Sequence, residues 1–404
     1  ITFKTTDTSA DASDIVALKV KIDNFNVNEI TTITENAATI GTNATTITSA
    51  LAITGGTEAV LISGAISAID TNTIANATSG VVTATITSGA VSSTLAAITN
   101  VNTSDVITFT TTDTSVDASD LVALAAKVDT FTTSSIANIT EDAANVGSVN
   151  TALTTSGLLD GNENVSINGA ISVADINTLN GNTTGVITAV ATQTDAASLI
   201  TLTTTNTDMI TVNMAASSTS AGDLNTIDGK TGVAVNATSI SQLTGTATDI
   251  TAALSSAGIT TVTNGSLAVN VSGAASVAEI NAINGDSATG IVTATANTGD
   301  AVILAGLTTT GTDEIAITLA NVSTTAANLN TINGKTNVAV NANAISELTG
   351  NATDIISAYT ANTAGTITGL GTKAVIVDNT ASAGNVNTIA NATSGVVTAT
   401  ITSG

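Results

Sequence analysis

The chain has 404 residues, a formal net charge of −24 and seven basic residues, all Lys, with no Cys, His, Trp, Pro or Arg. Without His or Cys there is no Ser-His-Asp or Cys-His arrangement and no usual zinc site. The acidic balance argues against a nucleic-acid partner, and no apolar run reaches the length of a membrane span.

In chain order, the first segment, "ITFKTTDTSADASDIVAL" (1–18), begins inside a motif and returns at 107–124 with 15 of 18 positions unchanged. In both copies an Asp pair, Asp11/Asp14 and Asp117/Asp120, reads as a helix start. "VVTATIT" (81–87) and "VITFTT" (106–111) alternate as strands. From Asp117 the spacing of Leu121, Leu124, Ala125 and Val128 predicts an amphipathic helix. Further strands are predicted at 164–170, 186–192, 233–239, 267–273, 291–297, 315–321, 338–344, 374–380 and 396–402.

Between strands, Ser67/Asp70, Ser172/Asp175, Ser220/Asp223, Thr246/Asp249 and Ser276/Glu279 carry the signature of a capping box. In the run 220–229, Leu224 and Ile227 share one face, and Gly229 is expected to close the helix in a left-handed conformation. One rung is thus a strand, a turn, a short helix and a return. The fold class expected is a repeat solenoid of stacked strand-plus-helix rungs (α/β solenoid), the alternative being an all-β parallel β-helix.

The repeat has a period of 105 residues. Residues 72–89, "NTIANATSGVVTATITSG", recur unchanged at 387–404, three periods on. Gly80, Gly185, Gly290 and Gly395 keep the register, each opening a similar strand. We expect one continuous solenoid over 1–404, about four super-repeats, and a window on a longer chain. At the strand spacing of a sheet, about sixteen rungs make a rod about 75 Å long. Ile, Val, Leu and Ala must form its core, since only Phe3, Phe25, Phe109, Phe131 and Tyr359 carry rings. Phe3/Phe109 and Phe25/Phe131 recur as repeat pairs and read as plugs of one wider rung. Recurring Asn and Thr are expected to form hydrogen-bonded ladders. The N-x-[ST] triplets at Asn43, Asn76 and Asn391 follow from the small alphabet and carry no reading.

The blocks "DLNTIDGKTGVAVNATSISQLTGTATDITAALSSAG" (223–258) and "NLNTINGKTNVAVNANAISELTGNATDIISAYTANTAG" (328–365) resemble the giant Thr/Ala/Asn-rich repeat proteins secreted to, or carried on the surface of, marine cyanobacteria. That group neighbours the hemolysin-type calcium-binding proteins, whose G-G-x-G-x-D nonapeptide this chain lacks. The resemblance implies an exported structural or surface protein.

The chemistry left open is narrow. Paired carboxylates suit a polysaccharide-degrading β-helix, but such sites grip sugar with aromatic and basic residues, and this chain has one Tyr, no Trp and no Arg to offer. Lys230 and Lys335 follow helix-ending glycines, where a cation complements the helix dipole, and their "GKT" lacks the first Gly of a phosphate loop. Oxygen-ligand spacing makes Asp7, Asp11, Asp14, Asp113, Asp117, Asp120, Asp160, Asn162 and Asn164 the calcium candidates; no other cofactor is expected. The competing role is capping for Asp117 and Asp120 and a turn at Asp160–Gly161. The expectation is therefore a non-enzymatic, extracellular or cell-surface structural protein forming a rod, filament or surface-layer element. Its partners are itself or neighbouring repeats, assembled as a head-to-tail homopolymer. The stalk of a calcium-dependent adhesin is the alternative, and a polysaccharide-degrading enzyme comes third.

Overall fold

Short helices form where a side chain replaces the missing acceptor of the first turn. Ser220 Oγ accepts the N–H of Asp223 at 3.3 Å, and helix Ala221–Asp228 follows with Ala221, Leu224 and Ile227 buried. Ser67, Ser172, Thr246 and Ser276 do the same, as do Asp11 and Asp117. Only Ser276/Glu279 closes the reciprocal box, with the Ser276 N–H donating to Glu279 Oε2 at 2.8 Å. Asp is one methylene shorter, so Asp70, Asp175 and Asp249 accept the cap hydroxyl instead, at 2.7, 2.6 and 2.8 Å. Gly229 departs from expectation. Its φ is −67°, right-handed, because its N–H continues the helical pattern to the carbonyls of Asn225 and Ile227. Helices that do end on a glycine at positive φ are Thr45–Thr54, at Gly55 (122°), and Ala352–Ala364, at Gly365 (82°).

The computed structural model of the chain describes residues 1–40, 44–261 and 265–402; Asn43 lies outside them. The contacts divide the chain into two compact units, Ile1–Thr192 with Asp208–Ile210, and Gln193–Thr207 with Thr211–Gly404. In the first, one sheet runs in the order Ser9–Asp11, Thr32–Asn36, Ala59–Ile66, Val82–Ile86, Val106–Thr110, Thr130–Thr132. A second contains Ser115–Asp117, Asn138–Asp142, Asn164–Ile171 and Ile187–Ala191 in that order. In the second unit, Ser218–Ser220, Gln242–Gly245, Leu267–Ala275, Thr289–Ala296 and Glu314–Ala316 form one sheet. Ser323–Thr325, Glu347–Gly350, Ala374–Ala381 and Val397–Ile401 form another.

Among the described residues every strand pairing is parallel, and no sheet closes into a barrel. A strand's partner lies one strand-and-helix coil further along: Thr32 stands opposite Ala59, Val60 opposite Val82, and Thr83 opposite Val106. Parallel neighbours need such crossovers, and short helices make many of them. Helices pack on their successors, Ala118–Ala125 on Val146–Thr154 and Ala326–Asn333 on Ala352–Ala364. The protein is therefore α/β with parallel strands in several sheets, which sets aside the all-β alternative. No helix among the described residues is long and apolar enough to cross a membrane.

All eleven strands expected from the sequence overlap strands in the structure, but 233–239, 315–321 and 338–344 shrink to Val235–Asn236, Glu314–Ala316 and Val340–Asn341. The phenylalanines also sit differently from expectation. They pair across adjacent strands and not within one rung: Phe3 opposite Phe25 with ring centroids 5.4 Å apart, Phe109 opposite Phe131 at 5.6 Å.

The register glycines have a steric cause. A Cβ on Gly80, Gly185 or Gly395 would fall 2.3, 2.2 or 2.0 Å from the backbone carbonyl oxygen of Glu58, Glu163 or Lys373 on the preceding coil. Two residues earlier, Thr78, Thr183 and Thr393 donate to those same carbonyls at 2.6, 2.7 and 2.8 Å and accept the glycine N–H. A Thr-x-Gly clamp thus presses each of these strands onto the coil before it. The third copy differs: Ala288 replaces the threonine, and the displaced Thr289 hydroxyl is buried without a partner.

Candidate functional site

The calcium candidates are placed as caps and turn-formers. Asp11 Oδ1 accepts the N–H of Ser13, and Asp117 Oδ1 accepts those of Ser119 and Asp120 at 3.0 and 3.2 Å. Asp7 accepts the Thr5 hydroxyl at 3.0 Å, while Asp14 stands exposed in the first turn of Ala12–Lys19. Asp113 Oδ2 accepts the N–H of Val91, one coil back, at 2.7 Å. Asp160 accepts from the Asn162 amide at 3.1 Å. Asn164 accepts the Val186 N–H at 2.9 Å and donates to Asn138 Oδ1. The structure brings Asp117 and Asp120 together, along with Glu141, which was not anticipated. Burial first, and then the charges of Asp117 and Glu141, hold the Asp120 carboxyl above its usual range. Among the described residues no group of three acidic side chains is arranged to hold a metal ion.

What the sequence reading missed is a set of buried acids. Asp105, Asp208 and Asp313 are 2%, 4% and 3% exposed, a cost met only by hydrogen bonding. Each reaches back one coil, its Oδ1 accepting the N–H of Val82, Ile187 or Val292 at 2.9 Å. The second oxygen of Asp105 accepts the N–H of Asn102 at 3.0 Å, and that of Asp313 the N–H of Thr310 at 2.7 Å. The recipients stand two residues after Gly80, Gly185 and Gly290. Strand starts after Gly80 and Gly185 are therefore gripped from both sides, by the Thr-x-Gly clamp behind and by an Asp staple ahead. A signal for this was present as "NTSDVI", "TNTDMI" and "TGTDEI", starting at 102, 205 and 310.

Glu35 and Glu141 form a second pair of reach-backs. Glu141 Oε2 accepts the N–H and hydroxyl of Ser119 at 3.0 and 2.7 Å, and Glu35 Oε2 accepts the N–H of Ser13 at 3.2 Å. Asn side chains complete the lattice of bonds. Asn225 and Asn330 donate to the carbonyls of Asp249 and Asp354 on the next helix at 3.0 and 2.9 Å, while Asn236 donates to Asn213 at 2.9 Å. Lys127 Nζ donates to the carbonyls of Ile98 and Val101, at the end of the preceding helix. In the GKT segments, the carbonyls of Lys230 and Lys335 accept the hydroxyls of Thr204 and Thr309 at 2.8 Å.

The last strand, Val397–Ile401, has the same sequence as Val82–Ile86 but not its surroundings. Val82, Ala84 and Ile86 are buried and their strand pairs with Val106–Thr110, whereas Ile401, the counterpart of Ile86, is 53% exposed. At the other terminus Phe3, Asp7, Asp11, Ile15, Leu18 and Phe25 help line an open cavity of about 270 Å³. The polar residues named above are thus spent largely on joining neighbouring coils. No protein-family model matches the chain, and no curated protein matches it.

Proposed function

We propose that this is an extracellular structural protein whose strand-and-helix coils stack as an α/β solenoid, forming a rod, filament or surface-layer element. The observation that carries the reading is the two-sided grip on one strand in each of the first two repeats, Val82–Ile86 and Ile187–Ala191. Thr-x-Gly binds a strand to the coil before it, and a buried Asp binds it to the coil after. Such a chain gains stability by adding coils, since each covers the apolar face of its neighbour. The reading assigns the acidic residues to capping and stapling and gives none of them to catalysis. Its partners are its own repeats, and a surface that is acidic and poor in Lys suits a protein that must remain dispersed outside the cell. Electron microscopy of native extracellular material carrying the chain tests this. Fibres or ordered layers with a regular axial repeat are expected, whereas globular particles bearing the chain overturn the reading.

A further inference from the structure

Well inside the chain, one strand edge stands open where two later repeats carry a further strand. Thr130–Thr132 ends its sheet and, among the described residues, pairs on one side only, with Val106–Thr110. The Thr132 carbonyl accepts the Thr111 N–H at 3.1 Å, so the N–H groups of Phe131 and Thr133 face the opposite side. There the Thr133 N–H has no acceptor among the described residues. The later repeats show what this position holds. The same turn marks it in all three: the carbonyls of Thr133, Ala237 and Ala342 accept the N–H groups of Ile136, Ile240 and Ile345. Val235 and Ala237 donate their N–H groups to the carbonyls of Gly258 and Thr260 at 2.8 Å, and Val340 and Ala342 donate theirs to Thr366 and Thr368 at 2.9 Å. The strands that supply these acceptors, Ile259–Thr260 and Ile367–Thr368, run parallel, with Ile opposite Val235 or Val340 and Thr opposite Asn236 or Asn341. Beside Phe131 there is instead an open cavity of about 410 Å³, lined by Phe131, Thr133, Ile136, Leu158, Asp160 and Glu163 among others. The chain's own next coil meets this edge as a turn, in which the Leu158 carbonyl takes the Thr133 hydroxyl and not its N–H.

We propose that the Thr130–Thr132 edge binds an extended peptide segment of another protein by strand addition, in the place that Ile259–Thr260 takes beside Val235–Asn236. The segment runs parallel, with a β-branched apolar residue opposite Phe131 and a threonine opposite Thr132. The carbonyl before the apolar residue accepts the Phe131 N–H, and the carbonyl of the threonine accepts the Thr133 N–H. Main-chain bonds supply affinity, while the apolar side chain enters the cavity and fixes register. Acidic segments are disfavoured, because Asp160 is exposed on the cavity wall and the chain carries a net charge of −24. In a second copy, Ile259–Thr260 and Ile367–Thr368 are already paired within their own repeats, so the occupant comes from a different protein. Capture of a strand here is independent of the structural role proposed above.

The probe is the end-capped hexapeptide Ser-Ala-Gly-Ile-Thr-Thr, the sequence of 256–261. At about nine-tenths occupancy the amides of Phe131 and Thr133 should exchange about tenfold more slowly, whereas Ser-Ala-Gly-Asp-Thr-Thr should leave them unchanged. The absence of native cysteine lets thiol exchange read the register. Opposed Cα atoms in paired strands lie about 4.8 Å apart, within disulfide range. A peptide with Cys in place of its first Thr should therefore link to Thr132→Cys. It should not link to Thr110→Cys, which stands opposite Thr132 on the side already paired. Both positions are exposed, so neither substitution disturbs the core. Unchanged exchange at both amides up to millimolar peptide, or equal linking at positions 132 and 110, overturns the proposal. Self-association of the chain that the peptide abolishes gives the edge to a second copy and overturns the assignment to another protein.

Discussion

Gly185→Ala isolates the close approach that sets strand register. The new methyl carbon falls 2.2 Å from the Glu163 carbonyl oxygen, 2.4 Å from its carbon and 2.7 Å from Asn164 N. All three are backbone atoms, so no side chain can swing aside; the strands must part by about 1 Å to reach ordinary contact. Parting them stretches the Thr183 Oγ1–Glu163 O bond (2.7 Å) and the Val165 N–Val186 O bond (2.9 Å). Overpacking costs about 1–3 kcal/mol, and two weakened bonds add about 1 kcal/mol each. The expected loss is therefore about 3–5 kcal/mol. Gly147 is the control, since it lies in helix Val146–Thr154 and its Cβ would meet nothing within 4 Å. Gly147→Ala should be neutral or stabilising by up to about 1 kcal/mol. Urea unfolding followed by far-ultraviolet circular dichroism measures both variants, and amide exchange across 161–192 shows whether the Gly185 loss is local. If the two variants have the same stability within about 0.5 kcal/mol, the steric account is wrong.

Other substitutions test the remaining devices. Thr183→Val should cost about 2–4 kcal/mol by leaving the Glu163 carbonyl and Gly185 N–H unpaired, whereas Thr289→Val, which removes an orphaned hydroxyl, should stabilise by about 1 kcal/mol; opposite signs in urea unfolding are required. Asp105→Ala should lose about 3 kcal/mol because the N–H groups of Val82 and Asn102 lose their acceptor, and faster amide exchange at Val82 reports it. Glu279 is held below the usual glutamate range, first by the Ser276 N–H and then by its hydroxyl. A depressed carboxyl contributes stability above its unfolded pKa and loses it as pH falls through the folded one, so Glu279→Gln should flatten the acid-side slope of amide exchange in Val277–Asn284. Millimolar calcium should leave the melting temperature unchanged, because Asp11, Asp113 and Asp117 already accept backbone N–H groups; a calcium-dependent rise would restore the ligand reading.

Helix starts were legible because a cap is a local event: Ser220 and Asp223 are three residues apart and their bond follows from that spacing. Strands such as Val106–Thr110 were legible from alternation. Strands of three residues, such as Ser115–Asp117 and Ser9–Asp11, were not, since so few residues show no period and their pairing rests on the coil next door. Asp105 was missed for a related reason. Within "NTSD" it reads as a turn residue, and its partner Val82 is 23 positions away. Asp113 and Asn164 suggested metal ligands by spacing alone, but their oxygens face backbone N–H groups contributed by neighbouring coils.

The grip from both sides also bears on how such a gene changes length. Each clamp and staple joins residues in consecutive coils, so a joint is preserved whenever both of its halves are copied in order. Unequal recombination between equivalent points of two 105-residue copies does this wherever the breakpoint falls, because the sequence on either side of the join is still one period in phase. A length change inside a strand moves a threonine or aspartate off its partner, whereas one in a connection is absorbed: Val82 and Asp105 bond across 23 residues, Ile187 and Asp208 and also Val292 and Asp313 across 21. Selection on such a locus would therefore tolerate changes in copy number and in connection length, and reject shifts of register within a strand. The unbroken match of 72–89 to 387–404, with a third copy that keeps Gly290 but has lost its clamp threonine, fits a tract extended by whole periods and then altered residue by residue.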